Sequence, residues 1–418
     1  MMVAVASTSR LGPPPFDLRV SSSDLPVRMV PVRTALLGVI LLVLGAVAIA
    51  TGILPVPDAL DVANRVWPIL LFVVAITVVT ELAAEAGLFT VVAERLAKWG
   101  LDRAWLLWLL VVVLATACTV FLSLDTTAVL LTPVVVLLAR HVGLPPLPFA
   151  MTTIWLANTA SLLLPVSNLT NLLAEHELAT GPFAGPIGFA ALMAVPALVC
   201  IVVPSVVLFV VYRRALLARY EPKAGTSPED RVLLGVSAVV VILLVPALVS
   251  GIAVWIPAAG GAIVLAAFFA ARRTTVLKFS ILPWQIVVFA SGLFLVVQAA
   301  GGLGLTTVLS SLVGTGDSGL DLLRLSGVAV GGANVVNNLP AYLALEPVAG
   351  SPLRLAALLI GVNAGPLITP WASLATLLWH ERLRALDVHI QWKHYIGLGC
   401  IVVPITVVPA VLLLLAVH

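Results

Sequence analysis

Apolar runs of about 17–25 residues, separated by short polar breaks, recur from residue 35 to the end of the chain. At helical rise each run is long enough to cross a hydrocarbon core. The pattern predicts membrane segments at roughly 35–54, 66–86, 104–122, 124–140, 146–164, 186–212, 232–250, 252–271, 284–302, 321–345, 353–369 and 394–417. Two further stretches, 166–180 and 371–384, are too short to span, and each starts just after a proline. The longest internal polar connector, "RRALLARYEPKAGTSPEDR" (213–231), divides the chain near its middle. The expected organisation is a cytoplasmic tail (1–34), a first transmembrane repeat (35–212), a cytoplasmic linker (213–231) and a second transmembrane repeat (232–418). The tail carries Arg10, Arg19, Arg28 and Arg33 and lacks a cleavage site after the first run, so that run reads as a retained helix and not a signal peptide.

The two halves align on each other. "WPILLFVVAITVVTELAAEAGLFTVV" (67–92) sets without gaps on "WQIVVFASGLFLVVQAAGGLGLTTVL" (284–309), pairing Trp67 with Trp284, Phe72 with Phe289 and Gly87 with Gly304. "NTASLLLPVSNLTNLL" (158–173) sets on "NAGPLITPWASLATLL" (363–378), pairing Asn158 with Asn363 and Pro165 with Pro370. Shared leucines alone would mean little in so apolar a chain, but an ordered Asn, Pro and Trp indicate duplication. Arg95, Lys98 and Arg103 follow the first Trp–Phe–Gly segment, whereas Arg272, Arg273 and Lys278 precede the second. If basic clusters stay cytoplasmic, the copies cross in opposite directions, an inverted repeat of the kind secondary transporters use. The fold class expected is therefore an all-α polytopic membrane protein: two inverted repeats with Pro-broken hairpin segments and about 10–12 transmembrane helices.

Composition sharpens this. The 418 residues are 61% hydrophobic and 10% charged, too apolar for a soluble chain of this length. The net charge of +3 sits in short connectors and gives no support for a nucleic-acid partner. Cys118, Cys200 and Cys400 stand far apart in apolar runs, which reads as three small core residues with no metal site and no redox pair. There is no phosphate-binding loop and no Ser/His/Asp set, so neither catalysis nor a cofactor is expected, and transport energy must come from an ion gradient or an external ATPase.

The candidate chemistry lies at the breaks. Backbone freed at bilayer depth survives only where protein or trapped water satisfies it, and a half-helix starting there presents free N–H groups to a solute. Pro165 and Pro370 end the descending helices, and Ser167 or Asn168 can cap a new one. The polar set Asn158, Thr159, Ser161, Ser167, Asn168, Asn171, Asn363, Thr369, Ser373 and Thr376 is expected to ring one cavity as the substrate site. The bland alternative is that these side chains satisfy kinked backbone and join helices. Upstream, "SLDTTAVLLTP" (123–133) corresponds to "VVNNLPAYLALEP" (335–347), which makes Asn337 and Asn338 counterparts of Asp125 and adds them to the site. Asp125 lies between apolar stretches and is the proton-coupling candidate, with an interfacial carboxylate at a helix N-terminus as the alternative. Glu81 and Glu85 read as solvated or paired near Arg95 and Lys98.

At these residues the chain resembles the ion transporter superfamily, most closely its ArsB-type arsenite permeases. "GPLITPWASLATLLW" (365–379) carries the resemblance most specifically, with "NTASLLLPVSNLTNLL" and "NVVNNLPAYL" (334–343) beside it. The resemblance runs from about residue 35 to the end. It implies inner-membrane location, a scaffold with a transport domain, and export of arsenite and antimonite, coupled to protons or assisted by a soluble ATPase. A homodimer is open on this reading. Departures concern the site: Asn158 and Asn363 stand where these permeases usually carry acids, Leu367 where a Lys is common, and Leu124 where an Asn often precedes the carboxylate. Export of arsenite or antimonite in exchange for protons is the leading expectation, because arsenite near neutral pH is largely an uncharged triol that amides and hydroxyls can hold. The alternatives keep the fold and change the cargo: a carboxylate or inorganic anion symporter, for which "SNLTN" (167–171) is a loose hairpin-tip match, or a sodium/proton antiporter.

Overall fold

The computed structural model of the protein describes residues 30–221 and 229–418. Most of the expected tail, and residues 222–228 of the expected linker, lie outside the described residues. Among the described residues the regular elements are helices, the arrangement that satisfies every backbone group inside its own segment once lipid replaces water.

Two ends orient the molecule. At one, the Ala104 N–H donates to the Ala218 carbonyl (3.1 Å), and Arg272 pairs with Asp230 at 2.7 Å. This is the linker end. At the other, Arg65 meets Glu346 at 2.6 Å and Glu177 at 3.2 Å, which defines the Arg65 end.

The first half runs Val30–Ala50 and Val56–Glu85, then turns at Gly87, whose φ of +83° favours glycine, into Leu88–Trp99 along the linker end. Ala104–Phe121 and Leu124–Thr126 form the turn of a helical hairpin whose return arm ends at His141. The Thr119 hydroxyl donates to Thr127 Oγ1 (2.8 Å) across its arms, and the return arm packs on Leu88–Trp99. Pro146–Thr159 then breaks, resumes as Leu169–Glu177 and reaches the Arg65 end, from which Gly185–Leu216 returns. The second half repeats this order with the direction of each element inverted. Trp284–Gly302 turns at Gly304 (φ +98°) into Leu305–Val313, and Gly319–Val336 with Asn338–Leu345 form the second hairpin. Pro352–Ala364 breaks and resumes as Leu374–Ala385, and Trp392–Val417 closes the chain. The short segments predicted at 166–180 and 371–384 are the two resumed half-helices.

One expectation is corrected. Segment 321–345 was predicted as one span, yet it is a hairpin of Gly319–Val336 and the eight-residue Asn338–Leu345, whereas the two segments predicted at 104–122 and 124–140 are two helices each long and apolar enough to span. Ser351 Oγ donates to Asp317 Oδ1 at 2.8 Å, so the second hairpin leaves where it entered. Length and hydropathy do not separate a span from a hairpin arm; the turn residues Ser123 and Asn337, each capping the helix that follows, make the difference. Outside the two hairpins, the crossings are Val30–Ala50, Val56–Glu85, the broken pair 146–177, Gly185–Leu216, Arg231–Val249, Trp255–Arg272, Trp284–Gly302, the broken pair 352–385 and Trp392–Val417.

The halves also exchange helices. Val30–Ala50 lies parallel on Trp284–Gly302 across a seam of small residues, where a Cβ on Gly38 would sit 2.7 Å from the Phe289 nitrogen and one on Gly292 2.5 Å from the Leu42 nitrogen. Trp255–Arg272 packs equivalently on Val56–Glu85, with the Trp255 and Trp67 rings 5.6 Å apart. These four helices and Arg231–Val249 form an outer group. The hairpins, broken helices and the two long helices after them form the core group. Cys118 and Cys200 are buried as expected, whereas Cys400 is exposed on Trp392–Val417 and is no core residue.

Candidate functional site

The two broken helices meet at their breaks. Leu164 is extended ahead of Pro165, a short 3-10 turn covers Pro165–Ser167, and Asn168 is the extended cap of Leu169–Glu177, accepting the Thr170 N–H at 3.4 Å. Thr369, Pro370–Ala372 and Ser373 repeat the geometry, with Ser373 at the cap position but without a side-chain cap bond. Proline both lacks the N–H to continue the first helix and favours extended backbone before it, which is why each break falls there.

Six expected residues converge in a single knot. Asn363 Oδ1 accepts from Asn168 Nδ2 (2.6 Å) and from the Ser161 hydroxyl (3.2 Å), while Asn363 Nδ2 donates to Leu359 O (2.9 Å) and Asn171 Oδ1 (3.5 Å). Asn171 Nδ2 donates to the Ser161 (2.6 Å) and Leu164 (3.1 Å) carbonyls, and the Ser167 hydroxyl reaches the same two carbonyls. Asn158 joins through its carbonyl, which accepts the Ser161 hydroxyl at 2.7 Å; its Oδ1 is buried without a partner. Thr159 turns back to the Trp155 carbonyl (2.9 Å). All of these residues are buried. The expectation that the set rings one cavity is thus corrected: these amides and hydroxyls satisfy one another and the freed backbone of the first break, forming a packed polar joint between the halves.

The remaining expected residues lie on a second, more open group. Its hub is Asn334, which sequence reasoning passed over. Asn334 Oδ1 accepts the Thr369 N–H (3.1 Å) and hydroxyl (2.6 Å), and its Nδ2 donates to Gly365 O (3.0 Å) and Val330 O (2.8 Å). Trp371 Nε1 donates to the Asn334 carbonyl at 2.7 Å, and Asn337 Nδ2 to the Trp371 carbonyl at 3.0 Å. Asn337 and Asn338 both also accept the Leu339 N–H. Ser373 and Thr376 are buried behind this group. Trp371 is 51% exposed and Val335 79%, whereas Pro165–Ser167 of the other half are buried, so among the described residues the second break is the more exposed of the two. The signal for Asn334 was present: it opens "NVVNNLP", three asparagines in an otherwise apolar run.

Asp125 sits half-buried just past the turn of the first hairpin, where Leu124–Thr126 packs against Pro146–Thr159. Ser123, not Asp125, caps this helix by accepting the Thr126 N–H at 3.2 Å. Among the described residues, no hydrogen bond or ion pair engages the Asp125 carboxylate. Its pairing with Asn337 and Asn338 is corrected: the capping turn residues are Ser123 and Asn337, which places Leu339 opposite Asp125. No Lys or Arg occurs within 142–212 or 355–381, the sequence that builds both breaks.

Comparison with known proteins agrees with this architecture. Residues 28–376 match the citrate transporter family, CitMHS. An arsenical pump membrane protein of Escherichia coli (strain K12) is 31% identical over 385 residues, 86% of this chain and 88% of its own. One from Yersinia enterocolitica is 32% identical over 383 residues, covering 85% and 88%. The crystal structure of the Alcanivorax borkumensis YdaH transporter superposes with a TM-score of 0.57 at 14% identity, covering 92% of this chain and 97% of that one, a likeness of fold alone. The protein is a multi-pass membrane transporter. The chain belongs to the CitMHS citrate transporter family, as an ArsB-type member of the ion transporter superfamily.

Proposed function

We propose that the protein exports arsenite or antimonite across the cell membrane in exchange for protons, with the solute held between the hairpin turns and the two helix breaks. The observation that carries the reading is the character of that region: amides, hydroxyls and half-helix N-termini without a lysine or arginine, beside one carboxylate, Asp125, that has no partner among the described residues. An uncharged triol needs donors and acceptors, which Asn337 and Thr369 offer at the more exposed break and the buried Asn338, Ser373 and Thr376 offer once the site is uncovered. The knot of Asn158, Ser161, Ser167, Asn168, Asn171 and Asn363 holds the two half-helices in register so that their positive ends converge there. Asp125 takes up and releases the proton as access alternates.

Charge supports the sidedness. Arg65, Arg324 and Arg354 lie toward the Arg65 end, where Arg324 and Arg354 bond to the carbonyls of Ser311 and Gly314, and the other described basic residues lie toward the linker end. By the positive-inside rule the linker end, and with it the N-terminus, is cytoplasmic.

Arsenite accumulation in everted membrane vesicles, with and without an imposed proton gradient, tests the reading. Gradient-dependent uptake is expected, and Asp125→Asn is expected to abolish it while leaving folded protein in the membrane. Undiminished uptake by Asp125→Asn removes Asp125 from the mechanism. The family match keeps an anion symporter as the second reading, and citrate uptake in the same vesicles, with no arsenite uptake, establishes it instead. A soluble ATPase docked on the linker is distinguished by uptake that requires ATP and ignores the gradient.

A further inference from the structure

A second polar centre lies at the Arg65 end, away from both breaks. Arg65 belongs to Val56–Glu85 of the outer group, and its guanidinium donates to Glu346 Oε1 at 2.6 Å while standing 3.2 Å from Glu177 Oε1. The Tyr342 hydroxyl donates to the same Glu346 oxygen at 2.7 Å. Glu346 follows the return arm of the second hairpin, and Glu177 ends the first resumed half-helix. One guanidinium of the outer group therefore ties down the outer ends of two core-group elements, one from each half. Glu346 and Tyr342 are buried there, Arg65 is partly buried and Glu177 lies at the exposed rim. None of these side chains caps a helix, and a buried ion pair adds little net stability over an apolar contact, which makes a static brace a poor account of it.

The other end of the same helix carries a charged pair too. Glu81 is within electrostatic reach of Arg382, near the end of the second resumed half-helix, with the signs of the charges exchanged. Arg382 is buried, and its Nη1 has no hydrogen-bond partner among the described residues. The second hairpin enters from the Arg65 end, so its turn points toward the linker end, and Val335 and Trp371 are exposed there. The two groups are thus bonded to each other at the Arg65 end, while the second break has exposed side chains toward the linker end.

We infer that Arg65 is the latch of an outer gate: its bonds to Glu346 and Glu177 hold the Arg65 end closed in this inward-open state and break once in each transport cycle. The inference rests on the transporter reading but not on the identity of the solute. The test starts from a Cys118→Ser, Cys200→Ser, Cys400→Ser background. In it, Leu345→Cys, beside Glu346 and 2% exposed, reports opening of the closed face to a membrane-impermeant maleimide applied at the Arg65 end. Labelling is expected to be at least ten-fold faster with Arg65→Gln than with Arg65 intact, and the charge exchange Arg65→Glu with Glu346→Arg is expected to return it to the slow rate. Equal rates in all three overturn the latch, whatever the cargo. Separately, Arg65→Cys with Glu346→Cys, bridged by a reducible bismaleimide, is expected to lose gradient-driven arsenite uptake and regain it on reduction. Full uptake while bridged shows a contact that never opens and overturns the inference.

Discussion

Asn363 shows what one amide can decide in a chain this apolar. Its Oδ1 takes two donors from the opposite half, Asn168 Nδ2 and the Ser161 hydroxyl, at a depth where water cannot replace it. Asn363→Ala strands both, and an unsatisfied buried group costs about 1–3 kcal/mol. Asn158 differs although it is the matched position of the repeat: its Oδ1 already lacks a partner and its Nδ2 only returns to Ile154 O, so Asn158→Ala strands no donor from another element. Thermal unfolding in detergent is expected to show a loss of roughly 2–5 kcal/mol for Asn363→Ala and under about 1 kcal/mol for Asn158→Ala. Equal losses refute the asymmetry of the knot. The sequence exposed these amides because polar residues at bilayer depth are conspicuous. It did not expose which of them satisfy each other, since pairing depends on where the other half of the chain arrives. Asn334 was passed over for the same reason, its partners Thr369 and Trp371 lying some 35 positions away.

Single elements were legible to different depths. The prolines and the helix restarts after them were plain, because they follow from missing N–H groups and caps within a few residues. The hairpins were not, because each arm is as apolar as a true span and only the turn residue differs. The seam between Val30–Ala50 and Trp284–Gly302 was hidden too, since a glycine in a lipid-facing helix announces nothing until its neighbour is known. Gly292→Leu should separate that seam, lowering the amount of folded protein extracted in detergent. Gly235→Ala, with nothing within 4 Å of the added Cβ, should leave it unchanged. At the start of Arg231–Val249, the hydrogen bond from Arg272 holds the Asp230 carboxyl below the usual carboxylate range, with the Leu233 and Val232 N–H groups assisting. A folded-state pKa below the unfolded one gives stability that is full above the unfolded value, about 4, and fades as pH falls through the folded value. Wild-type protein should therefore melt above Asp230→Asn at pH 7, and the difference should close below about pH 4.

At the scale of the whole molecule the inverted repeat imposes a parity. From Val30 to Leu216 the chain crosses four times outside its hairpin, by Val30–Ala50, Val56–Glu85, the broken pair 146–177 and Gly185–Leu216, and so returns to the linker end. A second copy running the opposite way must begin at the Arg65 end, and Arg231–Val249, which has no counterpart in the first half, supplies the extra crossing. The basic clusters after Gly87 and before Trp284 announced the inversion in the sequence, but the parity holds only if each hairpin contributes an even number of crossings, so that the chain leaves it on the side where it entered. That condition can be checked on the second hairpin. If 321–345 crossed as one span, Thr315 and Pro347 would face opposite sides; as a re-entrant hairpin it leaves both exposed residues at the Arg65 end, where Ser351 bonds to Asp317. In the cysteine-free background, Thr315→Cys and Pro347→Cys should each react with an impermeant maleimide in intact cells and be protected in everted vesicles. Opposite labelling of the two would make the hairpin a span, reverse every crossing after it, and remove the open break at Pro370 as a place for solute.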